Sequence, residues 1–317
     1  MIRVENLTKF YGETRAIEDV SFSVRDGEIL GFLGPNGAGK TTTLRIITTY
    51  LTPTAGDVTV DEMNIAEQSR EIRRRIGYLP ELNPLYLEMP AYDHLRFAAS
   101  ARDIAGRDFK AALGRVMEVC GIREVLHRPV AELSKGYRQR VGLAMAMIHD
   151  PAILILDEPS AGLDPNQIAE IRGLIKSLGK EKTVIISSHI LQEVQAVADR
   201  MVILNKGQVV ADGTNQELMA GFRGKATLSL EVKNASEKSI QGLGEKLPEL
   251  RLREQRIRDG VATLQLEYAG GQDQGMREQL FAYAVESGWV ILEMSRRQAQ
   301  LEDIFRSLTV ENGGADG

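Results

Sequence analysis

The segment Gly34-Pro35-Asn36-Gly37-Ala38-Gly39-Lys40-Thr41 constrains this chain more than any other. It fits the pattern G-x-x-x-x-G-K-[ST], which needs a strand before it and a helix after it. Both flanks are present. Ile29–Leu33 is apolar on both parities, as a strand buried on two faces must be, and residues 41–50 have helical spacing. The glycines let the backbone curl so that several N–H groups converge on one anion, and the helix N-terminus adds its positive end. In such a loop Lys40 reaches the β- and γ-phosphates and Thr41 places a hydroxyl on Mg²⁺. Alone, the loop reads as a site for a nucleoside triphosphate and does not separate kinases and GTPases from other users of it.

A second apolar run, Ile153-Leu154-Ile155-Leu156, ends in Asp157-Glu158. An Asp at such a strand end holds Mg²⁺, usually through water. Glu158 extends past it toward the γ-phosphate and is the candidate general base for an attacking water. An acidic strand end is common by itself; next to a phosphate loop it points to phosphoryl chemistry.

Short apolar runs alternate with helical patterns through residues 1–221, predicting an α/β unit with helices on the faces of a sheet. Residues 184–187 form a third buried strand. Residues 93–125 and 138–148 read as helical and form an α-rich subdomain. Gly221-Phe222-Arg223-Gly224 reads as a linker. Beyond it the order is β-α-β-β-α-β, with a hairpin at Arg258-Asp259-Gly260 and a last helix over residues 301–308. That order resembles a ferredoxin-like split βαβ sandwich, a small α+β domain over residues 225–310. Residues 311–317 are polar and Gly-rich, the composition of a disordered tail.

The 317 residues carry a formal net charge of -5, which argues against nucleic acid as the main partner. The single cysteine, Cys120, permits no internal disulfide, fits a reducing compartment, and sits in an apolar run as a small buried hydrophobe. The first residues lack the apolar stretch of a secretory leader, and no run approaches the roughly 18 apolar residues that cross a bilayer. Work at a membrane therefore requires a partner.

Leu133-Ser134-Lys135-Gly136-Tyr137-Arg138-Gln139-Arg140 resembles the L-S-G-G-Q signature of ATP-binding-cassette (ABC) ATPases. The resemblance implies a phosphate-loop ATPase cassette with a helical subdomain, binding ATP and Mg²⁺. It also implies a homodimer, or paired ATPase subunits, that sandwiches two ATP molecules. In that arrangement Ser134 and Gly136 close over nucleotide held by the opposite protomer. Ser134 also reads as an ordinary helix N-cap, and the two roles are compatible. Other motifs follow in register over about residues 2–218. Tyr11 matches the adenine-stacking aromatic. Gly34, Asn36, Gly37, Ala38, Gly39, Lys40, Thr41 and Thr42 match the phosphate cradle. Ser160-Ala161-Gly162-Leu163-Asp164 matches the loop that crosses the dimer. His189 matches the histidine that contacts γ-phosphate. His94, His127 and His149 fall outside any motif.

Lys135-Gly136-Tyr137, Pro80-Glu81 and Leu301-Glu302-Asp303-Ile304-Phe305 resemble the subfamily serving exporters whose ATPase and membrane chains are separate. The resemblance implies a peripheral subunit at the cytoplasmic face, docked on an integral membrane permease. The Pro-bounded loop 83–90 is the expected docking element, through Leu85 and Tyr86. One departure stands out: the family usually has Gln where this chain has Glu81, and a carboxylate there adds a third candidate metal contact to Thr41 and Asp157. The competing reading is a soluble cassette ATPase of translation or repair. Such proteins carry two cassettes or a long coiled coil, and this sequence has neither. A ligand-sensing role for the C-terminal module rests on fold analogy alone.

Overall fold

The computed structural model describes residues 1–221, 225–258, 260–269, 273–297 and 301–310. Most of the expected linker (residues 222–224), the hairpin residue Asp259 and the expected disordered tail (residues 311–317) lie outside the described residues. The chain divides into two compact units: Met1–Asn215 together with residues from Leu308, and Gln216–Ser307.

The first unit opens with β1 (Ile2–Tyr11), β2 (Thr14–Val24), β3 (Ile29–Leu33), α1 (Lys40–Ile47), β4 (Ala55–Val60) and β5 (Met63–Asn64). There follow α2 (Ser69–Arg75), β6 (Ile76–Leu79), α3 (Ala91–Ser100), α4 (Gly106–Cys120) and α5 (Lys135–Met147). It continues through β7 (Ile153–Asp157), α6 (Pro165–Leu178), β8 (Thr183–Ser188), α7 (Leu191–Gln195), β9 (Arg200–Asn205) and β10 (Gln208–Gly213). Two sheets form. One is antiparallel, in the order β2-β1-β4-β5. The other runs β10-β9-β3-β8-β7-β6 and is parallel except for its edge strand β10.

The parallel strands separate two cores by simple alternation. Leu30, Phe32, Ile153, Ile155 and Ile185 point into one core with β1, β2, β4 and α1. Ile29, Leu154, Leu156, Val184 and Ile186 point into the other, with α3–α6. Every residue of β3, β7 and β8 is buried, which is why the sequence shows them as unbroken apolar runs rather than alternating ones. All three strands therefore end in the same layer, delivering the phosphate loop, Asp157-Glu158 and Ser188-His189 side by side.

The helix expected over residues 93–125 is two helices. Asp103 and Gly106 take positive φ (60° and 57°), a conformation helices exclude, so the chain breaks between α3 and α4. A further left-handed residue, Gly121, closes α4. The helix expected from residue 138 begins at Lys135, because the Ser134 hydroxyl accepts from Tyr137 N–H at 3.3 Å and caps it. Cys120 is fully buried, and burial pushes its thiol up to about 12.

The second unit begins within α8 (Asn215–Gly221) and contains β11 (Lys225–Lys233), α9 (Glu237–Lys246), β12 (Arg251–Arg258), β13 (Val261–Ala269), α10 (Asp273–Glu286) and β14 (Val290–Arg297). The first turns of α11 (Leu301–Val310) also belong to it. Its sheet runs β12-β13-β11-β14 with every neighbouring pair antiparallel. Alternating Leu228, Leu230, Val232, Leu264 and Leu266 build its core with Tyr283 and Trp289, whose rings meet edge to face at 5.5 Å. The chain order and pairing are those of a split βαβ sandwich.

Candidate ATP site

The loop between β3 and α1 is shaped by glycines that nothing else can replace. Gly39 has φ +101°, and a Cβ there would sit 2.3 Å from Ile17 Cγ2. A Cβ at Gly34 would sit 2.4 Å from the Leu204 carbonyl. The loop can lie this close to β2 and β9 only without side chains. It lines a cavity of about 320 Å³ with Asn36, Gly37, Ala38, Gly39, Lys40, Thr41 and Thr42. Glu81, Glu158 and His189 complete the wall, with Ala16 and Ala161.

Three charged or titratable groups interlock at its base. Lys40 is 6% exposed; its Nζ donates to the carbonyls of Gly34 at 2.8 Å and Pro35 at 3.3 Å, and lies 3.2 Å from Glu158 Oε1. Glu158 Oε2 lies 2.9 Å from His189 Nδ1. A carboxylate only accepts, so Nδ1 carries the proton and Nε2 is left for a second partner. Glu158 itself has φ +49°, which turns its side chain away from the strand it ends. Lys40 is thus already neutralised by groups that an incoming polyphosphate would replace.

Asp157 is fully buried and does not line the cavity. Its Oδ1 accepts from Ser187 Oγ at 2.6 Å and its Oδ2 from the Tyr78 hydroxyl at 3.5 Å. Burial and the Asp157 charge push the Tyr78 hydroxyl up to about 12, so it remains a donor. The Ser187 hydroxyl also accepts from Glu158 N–H at 2.9 Å and so fixes both acidic residues. Sequence reading gave Ser187 and Tyr78 no role. The Ser-Ser pair before His189 was a visible signal, but the Tyr78 link depends on the pairing of β6 with β7.

The remaining expected residues lie outside this cavity. Tyr11 ends β1, exposed, with the Lys9 ammonium 5.6 Å from its ring centre. Ser134 and Gly136 stand at the start of α5; Gly136 is buried against Gln167, where a Cβ would meet the Gln167 side chain at 2.9 Å. Among the described residues no three His, Cys, Asp or Glu side chains cluster as a metal cage. A hydroxyl and a carboxylate, Thr41 and Glu81, lining one cavity fit a hard ion such as Mg²⁺, which is held by few carboxylates and by substrate phosphates.

The loop 81–90 is anchored from behind. Asn83 Nδ2 donates to the Arg138 carbonyl of α5 at 3.1 Å and fills the space a side chain at Gly142 would need. Leu85, expected to dock a partner with Tyr86, is half-buried, with part of its side chain packed against the core under the loop. Leu82 (85% exposed), Tyr86 and Leu87 remain at the surface.

Residues 17–161 match the family model described as ABC transporter. The bacitracin transport ATP-binding protein of Bacillus licheniformis is 34% identical over 100% of this chain and 99% of its own. A solved ATP-binding subunit of an ABC transporter aligns with a TM-score of 0.64 at 31% identity, over 70% of this chain and 93% of that one. A dimeric ATP-binding cassette in a post-hydrolysis state, bound to ADP and Pi, aligns with a TM-score of 0.62 at 26% identity, over 68% of this chain and 98% of that one. With relatives that match along their whole length and a phosphate loop, acidic strand end and histidine meeting at one cavity, this chain belongs to the ABC transporter ATPase family.

Proposed function

We propose that two copies of this cassette, or this cassette and a paired ATPase subunit, close over two Mg²⁺-ATP and drive an exporter whose membrane-spanning part is a separate chain. The observation that carries the reading is the Lys40–Glu158–His189 cluster at the base of a glycine-built phosphate loop. Lys40 and the loop amides bind the phosphates; Glu158 takes the proton of the attacking water; His189 orients Glu158 and presents Nε2 to the γ-phosphate. In this reading Ser134 and the start of α5, which lie outside the cavity of their own chain, serve a partner's nucleotide. Tyr11 offers an exposed ring to adenine. Mg²⁺, when bound, offsets charge on the phosphate oxygens; Thr41 and Glu81 are the residues that would meet it, with Asp157 behind them through water.

No helix among the described residues is long and apolar enough to cross a membrane. Support for a membrane partner comes from a groove of about 380 Å³ lined by Tyr50, Pro84, Phe97 and Arg102, among others, beside the exposed Leu82. An amphipathic helix of a permease fits such a surface. Because Asn83 ties the adjoining loop to α5, and Glu81 of that loop lines the cavity, a push on the groove reaches both ends of the site. The relative's bacitracin substrate is its own; here the membrane chain sets the substrate. Replacing Leu82 and Phe97 together by Ser is expected to abolish co-purification with the permease while the soluble ATPase keeps its turnover, and intact transport by that variant would refute the docking surface.

Glu81 gives a further prediction. A carboxylate facing the phosphates is repulsive until a cation screens it. Glu81→Gln removes a charged contact to the ion and should therefore raise the Mg²⁺ concentration needed for half-maximal turnover by a few-fold. A Mg²⁺ titration of ATPase activity that superimposes on the native one would show that Glu81 does not face the ion.

A further inference from the structure

Two hydroxyls that flank the hydrolytic cluster converge on one buried carboxylate. Glu193, on α7, is 4% exposed, and its Oε2 accepts from Ser160 Oγ and, at 3.0 Å, from Ser188 Oγ. Ser188 Oγ also accepts from Ile190 N–H at 3.1 Å, which shapes the turn into α7. Ser160 stands two residues beyond Glu158, and Ser188 directly precedes His189.

The position of this tie matters more than its strength. The backbone ladder between β7 and β8 ends at the pair Asp157–Ser187. Beyond it the chains part. Glu158 enters a tight turn closed by Ala161 N–H on the Glu158 carbonyl at 3.0 Å, while His189 leads away toward α7. Glu158, one residue past that pair, and His189, one past Ser188, which still pairs with Leu33 of β3, are thus the first residues on each side without a ladder to register them. Their side chains nevertheless meet at 2.9 Å. Charge-assisted bonds from both loops to one oxygen hold that register. Glu193 does not line the cavity, so it acts through its neighbours and not on the reacting atoms.

We propose that Glu193 is a positioning residue for ATP hydrolysis: by holding Ser160 and Ser188 on one carboxylate oxygen, it sets His189 against Glu158. The inference rests on the assignment of Glu158 and His189 to hydrolysis. An aliphatic side chain would fill the same space at lower desolvation cost, so packing alone does not account for a buried carboxylate here.

The test is steady-state ATP hydrolysis by the full-length chain, with thermal unfolding measured on each variant. Glu193→Ala is expected to lower kcat about 30-fold, the scale of a misaligned reacting pair, with KM and nucleotide affinity within about two-fold of native. Glu193→Gln keeps an acceptor oxygen for both hydroxyls and should recover most of the loss. Ser160→Ala and Ser188→Ala should each lower kcat, and neither should add to the loss of Glu193→Ala, since all three remove one link. The inference is overturned if Glu193→Gln is as slow as Glu193→Ala, if the serine effects add in full, or if the loss only tracks the folded fraction. Should Glu193→Ala fail to fold, Glu193→Gln and the two serine variants decide by the same criteria. A Glu158→Gln variant run alongside separates the two readings. If it turns over normally, the site assignment is wrong. If it is inactive while Glu193→Ala hydrolyses at the native rate, only the role of Glu193 falls.

Discussion

Glu158→Gln should reduce ATP turnover by about 10²–10⁴-fold, the range contributed by a positioned general base, and leave ATP binding intact. The amide keeps the shape of the side chain and one acceptor oxygen. It can still face Lys40 and His189, but it cannot take a proton from water. Lys40 keeps its two carbonyl acceptors, at 2.8 Å and 3.3 Å, so the buried ammonium is not stranded and folding is little affected. Because ATP then stays intact, the closed dimer should persist. Mass in solution is expected to shift from one chain to two on adding Mg²⁺-ATP, and to remain at one chain without it. Turnover near the native rate would remove Glu158 from the role of base. An inactive variant that binds ATP and stays monomeric would mean that closure needs the membrane partner, or that the Lys135 and Tyr137 form of the signature does not close over nucleotide.

The parts of this site that could be read from the sequence are those whose function demands consecutive residues. A phosphate loop is eight neighbours in one backbone curl, and Asp157-Glu158 is the end of one apolar run. The three strands were legible for a related reason: burial on both faces leaves Ile29–Leu33 without a polar position to confuse the reading. What stayed hidden depends on pairing between distant segments. Ser187 serves Asp157 and Glu158 across 30 and 29 residues, and Glu193 serves Ser160 across 33; these links exist only because β7 and β8 lie side by side. Leu85 shows how little local composition says about burial. In a Pro-bounded loop it reads as surface, yet it is half-buried against the core while its exposed neighbour Tyr86 stacks on His94 with ring centres 6.0 Å apart. Local composition marks the loop but not which of its apolar residues turns inward. The break between α3 and α4 escaped for want of a proline: Asp103 and Gly106 carry it through positive φ, which Asp accepts only in context.

Lys40→Met carries the other large effect, and it strikes activity and stability together. The methionine fills much of the same volume but donates nothing. Two loop carbonyls lose their donor, and Glu158, with a side chain 7% exposed, keeps only His189. Removing one partner of a buried pair leaves an uncompensated charge and costs about 3–5 kcal/mol. Turnover should fall at least about 10³-fold, since the fixed positive charge on the transferring phosphoryl group is gone and the loop carbonyls turn repulsive toward it. The double variant Lys40→Met/Glu158→Gln separates these causes. Replacing the stranded carboxylate by a neutral amide should return most of the lost stability, so the two single effects on unfolding free energy will not add, while hydrolysis stays absent. Chemical denaturation of the four proteins measures the coupling. Effects that add within about 0.5 kcal/mol would show that Lys40 and Glu158 do not interact in the nucleotide-free chain. Strong coupling would show that the resting site stores its two key charges against each other, so that polyphosphate, in taking Lys40, frees Glu158 to act on water.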